Sequence, residues 1–296
     1  MQLSNRELLQ LADSAISAAY QAGDLIRKYP TQEVVVESKT AGDNIASQVV
    51  TQVDHFSQKL ILKSLLSSCD KFDIALLTEE SIDNQKRLQK DYFWCIDPLD
   101  GTLPFIESKS GYAVSIALVS RAGIPLIGVI YDPLKQILYH AIKDVGAFRN
   151  KTPWRLEQTQ LPENLLLTLV CDRSFVQQKH YTQLIKALEI IADELGYKGV
   201  NTIMHGGAVM NACWVLENNP GCYFKFPKLQ NGGGSLWDYA ATACLFNEIG
   251  AVVCDIHGEP LDLNRADSTF MNHRGIIYSC EQILAKRISD LYKNLN

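Results

Sequence analysis

Two aspartates three positions apart, Asp97 and Asp100, close an apolar run that begins at Tyr92; Pro98 and Leu99 lie between them, and Gly101-Thr102 follow. Carboxylates projecting from the end of one buried strand repel each other, and a hard divalent cation, or a pair of them, between the two removes the repulsion. Asp-Pro and Asp-Gly are also common turn dipeptides, so the segment taken alone reads first as a surface turn. Three more acidic features sit at element ends: Glu79-Glu80 after the apolar run Asp73–Leu77, Asp54 at the opening of a helical pattern, and Asp238 after Trp237 in the first turn of another. Helix N-termini favour acids through caps and the dipole, which alone would explain Asp54 and Asp238, and Glu79-Glu80 fits a solvated loop. Together they read differently. Ligand sites of α/β proteins gather at strand ends on one sheet edge, and five or six carboxylates converging there need cations. The arrangement resembles a two-metal phosphoryl-transfer site, in which one metal prepares a water and the other steadies the leaving oxygen.

The elements that must position these groups follow from periodicity. Ser4 to Lys28 has helical spacing, with Ser4 as N-cap and Glu7 completing a capping box. A short strand is expected over 33–36, and a helix over Asp54–Leu66 with Phe56, Leu60, Ile61, Leu65 and Leu66 on its inner face. After the aspartate motif, Tyr112–Ser120, Pro125–Tyr131 and Gln136–Ala141 form an antiparallel meander. The polar stretch Asn150–Pro162 marks a lobe boundary. Beyond it strands and helices alternate: Leu165–Cys171, a helix over Tyr181–Leu195, Ala208–Leu216, Cys222–Phe226, a helix over Ser235–Ile249, Ala251–Cys254 and a last helix from Cys280. The expectation is one compact unit of two lobes, 1–155 carrying most of the acids and 156–296 carrying Asp238. Gly232-Gly233-Gly234 is followed by no Gly-Lys-Ser/Thr, so it is no P-loop and reads as a mobile connection.

Bulk properties narrow the class. A formal charge of −5 over 296 residues, with no Lys/Arg run, argues against nucleic-acid polymers and anionic membrane surfaces as partners. The N-terminus is amphipathic and carries acids, unlike a signal or transit peptide, and no apolar run approaches membrane-spanning length. Eight cysteines without a CxxC pair read as reduced thiols of a cytoplasmic protein, and no HExxH suggests zinc.

The ordered set Asp54, Glu79-Glu80, Asp97-Pro98-Leu99-Asp100-Gly101-Thr102 and Trp237-Asp238 resembles the inositol monophosphatase family of magnesium-dependent, lithium-sensitive phosphatases. Gly111–Val119, Gly128–Tyr131, Gly206-Gly207-Ala208 and Gly250–Leu263 extend the resemblance over nearly the whole chain. It implies an α+β fold, the layered αβαβα sandwich of the inositol monophosphatase and fructose-1,6-bisphosphatase type. It implies Glu79, Asp97, the Leu99 carbonyl, Asp100 and Asp238 as ligands of two or three magnesium ions, Asp54 supporting the weakest. Thr102 and Glu79 would orient and deprotonate the attacking water, Glu80 would stand behind them, and the Gly101 and Thr102 N–H groups would hold the phosphate. Substrate contacts would also involve Gly206, Gly207 and Asp238. A homodimer is an assembly the resemblance allows.

Substrate identity turns on Cys222–Pro227. Inositol-selective members carry a glutamate where this chain has Lys225, and a lysine there would attract a second anionic group. Members that hydrolyse adenosine 3′,5′-bisphosphate resemble this more closely, in Pro260–Leu263 and Ser268–Asn272 as well, although Ala208–Cys213 looks more like the inositol phosphatases. The leading expectation is therefore a 3′(2′),5′-bisphosphate nucleotidase yielding AMP and phosphate. The alternative is an inositol or other sugar-phosphate phosphatase, and Lys225 taken alone also reads as an exposed surface lysine. A catalytically dead relative that binds metal or nucleotide is the third reading.

Overall fold

A computed structural model describes residues 2–29, 36–38, 49–156 and 164–295. Helix α1 (Asn5–Lys28) starts at Ser4, whose side chain and backbone exchange the expected capping-box contacts with Glu7. It packs with α2 (Gln52–Phe72) on one face of a seven-stranded sheet. That sheet runs in sequence order: β3 (Ala75–Thr78), β4 (Tyr92–Asp100), β5 (Ala113–Ser120), β6 (Pro125–Asp132), β7 (Ile137–Ile142), β8 (Gly146–Arg149) and β9 (Thr152–Pro153). Every neighbouring pair is antiparallel except β3 and β4, which run parallel. A two-stranded sheet, β1 (Val36–Ser38) with β2 (Val49–Thr51), precedes α2.

The alternation of side chains along β4 divides the interior. Trp94 and Ile96 face α1 and α2, while Phe93 and Cys95 face the opposite layer. That layer holds α5 (Ala208–Glu217) and α6 (Leu236–Ile249), apolar nearly all round because a sheet lies on each side of them. The second sheet has five strands in the order β11 (Val200–Ile203), β10 (Leu167–Val170), β12 (Gly221–Lys225), β14 (Ile276–Ser279), β13 (Val252–Cys254). On its outer face lie α4 (Tyr181–Glu194) and α7 (Gln282–Leu295). The layers therefore stack α, β, α, β, α, the expected sandwich.

Several local expectations need correction. Helix α2 begins two residues before Asp54 and runs six beyond Leu66, ending at Asp73, which caps it in the left-handed conformation. Its inner stripe is Val53, Ser57, Ile61, Leu65 and Phe72, whereas Phe56 and Leu66 are exposed. The expected strand over 33–36 lies outside the described residues except for Val36, and the tail of the expected boundary, 157–163, is likewise outside them. Strands β11 and β14 were not anticipated, although β14 is central to its sheet. The glycines 232–234 are not a loose connection. Asn272 donates to the Lys228 and Gln230 carbonyls, its own carbonyl accepts from the Lys228 N–H, and the Met271 N–H is bonded to the Gly234 carbonyl.

Candidate active site

Residues three apart on a regular strand face opposite sides of the sheet. Between Asp97 and Asp100 the β4–β5 register shifts, so Asp97 pairs with Ser115 and Asp100 with Ala113. The extra residue on β4 turns both carboxylates to the same side, as a bulge does. The Pro98 carbonyl it displaces accepts from Ser57 Oγ at 2.7 Å. Parallel pairing of β3 with β4 ends both strands at one edge, where the Glu79 N–H reaches the Ile96 carbonyl. Asp238 arrives from the middle layer: it is the third helical residue of a capping box with Ser235, and its Oδ2 accepts from the Ser235 N–H. Ser115 Oγ donates to the Trp237 carbonyl and fixes this helix start against β5.

One carboxylate oxygen from each of Asp97, Asp100 and Asp238 lies within 4.8 Å of the other two. Glu79 stands outside this triad and reaches it by a hydrogen bond to Asp97, which also contacts Asp238. Burial, and then Glu79, Asp100 and Asp238, raise the Asp97 pKa well above the usual carboxylate range. Asp100 is raised by burial and by Asp238, against the Ala208 and Val209 N–H groups, which each donate to one of its oxygens at 3.0 Å. Asp238 is raised by burial, with the Ser235 N–H and Lys225 working the other way. Two buried acids and a half-buried third, all with raised pKa, are a set that protons or cations must neutralise. The donors are all oxygens, carboxylates with the Leu99 carbonyl beside them, and such a set fits magnesium and offers nothing to a thiophilic metal.

Thr102 is buried next to the triad. Its hydroxyl lies 3.1 Å from Asp54 Oδ1 and 3.3 Å from the Leu99 carbonyl. Asp54 does not line the cavity. It is buried in a capping box with Thr51, its Oδ2 accepting from the Thr51 hydroxyl and N–H, and its Oδ1 accepts from the Thr102 hydroxyl at the site. Burial raises its pKa to about 6, with Thr51 opposing and Glu79 adding to the rise. Glu80 offers its N–H to Gln58 Oε1. Gly101 turns the chain at φ +81°, a conformation glycine adopts without strain, into the short helix α3 (Thr102–Ile106).

The cavity over this cluster has a volume of about 760 Å³, and Glu79, Asp97, Leu99, Asp100, Gly101, Thr102, Gly206, Gly207, Lys225 and Asp238 all line it. A side chain at Gly207 would collide with Asp100 Oδ2, so the closeness of α5 to β4 demands glycine there. Lys225 is neither a free cation nor an exposed one. Its ammonium lies 2.7 Å from Asp172 Oδ2, its side chain is only 18% exposed, and Asp172 Oδ1 accepts from Tyr223 and Asn211 at 3.0 Å each. Burial works against the charged lysine, but Asp172 and Tyr239 more than offset it and its pKa is raised. The sequence reading missed Asp172, Arg173, His205 and Phe270, which also line the cavity. Asp172 carried a usable signal, since it follows an apolar strand just as Glu79 does.

Comparison with known proteins agrees with this geometry. The chain is 29% identical over 253 residues to human inositol monophosphatase 2, covering 84% of this chain and 82% of the relative. It is 30% identical over 242 residues to the Nus factor SuhB of Haemophilus influenzae, covering 81% and 83%. The crystal structure of the extragenic suppressor protein SuhB from Bartonella henselae superposes with a TM-score of 0.72 at 26% identity, over 96% of this chain and 98% of that one. A family model described as the inositol monophosphatase family matches residues 7–294. From the carboxylate triad outward through every layer of the sandwich, this chain belongs to the inositol monophosphatase family.

Proposed function

We propose that the protein is a magnesium-dependent phosphomonoesterase acting on the phosphate ester of a polyol or sugar, inositol phosphates first among them. The observation that carries this reading is the oxygen triad Asp97, Asp100 and Asp238 with Thr102 buried beside it. Magnesium held by these three, Glu79 and the Leu99 carbonyl would neutralise the ester and acidify a water. The Thr102 hydroxyl donates towards Asp54 or Leu99, which leaves its oxygen lone pairs to accept from the attacking water and aim it. Glu79 takes the proton, and Asp54 sets the Thr102 rotor. The Gly101 and Thr102 N–H groups hold the phosphate, with Gly206 and Gly207 beneath the leaving group. Positioning and charge neutralisation do the catalysis, with no phosphoenzyme.

Between the two substrate readings, Lys225 argues for the neutral alcohol. Its charge is already matched by Asp172, so the pair offers a leaving group one donor and one acceptor, which suits a hydroxyl better than a second phosphate. Relatives named inositol monophosphatase favour the same side, and none of the relatives named above is a bisphosphate nucleotidase. Phosphate release from inositol 1-phosphate and from adenosine 3′,5′-bisphosphate, each with magnesium, tests it: the inositol ester should turn over faster. Faster turnover of the bisphosphate would restore the nucleotidase reading. Hydrolysis of no ester in a panel would leave a metal-binding protein without activity.

A further inference from the structure

A second cleft of about 710 Å³ opens beside the catalytic cavity, and His205 lines both. The His205 Nε2 lies 3.3 Å from Ser110 Oγ, and its ring packs 4.7 Å from that of Trp214. Trp154 lines the cleft as well, its ring 5.5 Å from Tyr139. Arg149 also lines it, but its charge is matched by Glu217 at 3.0 Å. Lys135 is different: it sits 5.9 Å from the Trp214 ring and has no carboxylate at ion-pair distance among the described residues.

Three cations, Arg173, Lys135 and Lys109, stand around His205. Arg173 and Lys109 share a single carboxylate, Glu107, at 2.6 and 2.9 Å, and Lys135 forms no close ion pair among the described residues, acting on the buried Asp132 only through its field. Burial first, and then the fields of Arg173, Lys135 and Lys109, hold the His205 pKa below its ordinary value, so at pH 7 the ring adds no charge of its own. These cations surround the one side chain that lines both cavities. The Trp154 indole and the Lys135 ammonium, both lining the cleft, suit a planar group bearing an anionic charge.

We propose that the cleft is an accessory subsite for the distal end of the substrate's leaving group, taking a planar group that carries a second anion. It rests on the phosphomonoesterase reading of the first cavity and widens it: simple polyol phosphates occupy the wall of Lys225 and Asp172, and longer esters continue past His205. Lys135 and Trp154 then set affinity for the extended esters without touching the reacting phosphate.

The test compares the full-length protein with Lys135→Glu and Trp154→Ala, using inositol 1-phosphate and adenosine 3′,5′-bisphosphate as the short and extended esters. Each variant should raise KM for the extended ester about tenfold, equivalent to roughly 1.4 kcal/mol, and leave KM for the short one unchanged. Equal effects on both esters, or none on either, would overturn the proposal. A Lys135→Glu variant that alters sedimentation and neither KM would assign the cleft to contact between copies of the chain and overturn it too. If the wild type hydrolyses neither ester, the reading of the first cavity has failed. The subsite is then judged alone by calorimetric binding of adenosine 3′,5′-bisphosphate: binding weakened by Lys135→Glu sustains it, and equal or absent binding sinks it.

Discussion

Asp100 serves two structures at once. Its oxygens accept the first two N–H groups of α5, and the same carboxylate completes the triad. Asp100→Asn keeps one acceptor for the helix but loses the negative charge. Turnover with magnesium should fall by at least about a hundredfold, while thermal melting registers a loss on the order of 1 kcal/mol. Turnover near the wild-type level would refute the metal assignment. Asp54, held at about 6, makes stability depend on pH. Because its folded pKa lies above the unfolded value of about 3.9, the protonated form stabilises the fold at low pH, and that contribution is lost as pH rises through about 6. Asp97, Asp100 and Asp238 shift the same way. Metal-free protein should therefore melt at lower temperature at pH 7 than at pH 5, and magnesium should raise the pH 7 value more than the pH 5 one. A melting temperature that climbs from pH 5 to pH 7 without metal contradicts this. Lys225→Met strands Asp172 and should destabilise by about 1–3 kcal/mol, with much of the loss recovered in the double variant Lys225→Met, Asp172→Asn. Additive losses in urea melts would show that the two side chains are not coupled.

At the scale of elements, the chain was legible wherever one periodicity ran uninterrupted. The capping box at Ser4, the β5–β7 meander and the start of α6 at Ser235 all stand where the pattern puts them. A structural explanation does not exclude a place at the site: Asp54 and Asp238 are both capping-box residues, Asp238 stands in the triad and Asp54 reaches Thr102. The bulge in β4 was hidden, since register is a property of two strands and only β4 carries the motif. Strand β14, a four-residue run inside a loop-rich stretch, owes its place to partners far away in sequence. The glycines 232–234 misled for a similar reason. Local composition argues flexibility, whereas the restraint comes from Asn272, some forty residues on. Asn272→Ala should free residues 227–234 and speed tryptic cleavage at Lys228 several-fold under native conditions; an unchanged rate would mean that the remaining backbone bonds suffice.

Across the whole molecule, one cluster of buried side chains takes members from both large sheets and from the two helices between them. Neither half can open without uncovering that layer, so chemical denaturation followed by tryptophan fluorescence and by far-ultraviolet circular dichroism should give one coincident transition. Two separated transitions would show lobes that fold apart. The sandwich was readable as a resemblance carried by motifs, whereas the pairing of Lys225 with Asp172 was not, because it joins the ends of two strands more than fifty residues apart. Among the described residues no helix is long and apolar enough to cross a membrane. The link between Asp100 and α5 has a last consequence. Whatever cation the triad takes up must draw electron density from the carboxylate that the Ala208 and Val209 amides are bonded to. Those two amide protons are thus built-in spectators of site occupancy: in a nuclear magnetic resonance titration they would move first, and would report binding even in a variant that turns over nothing.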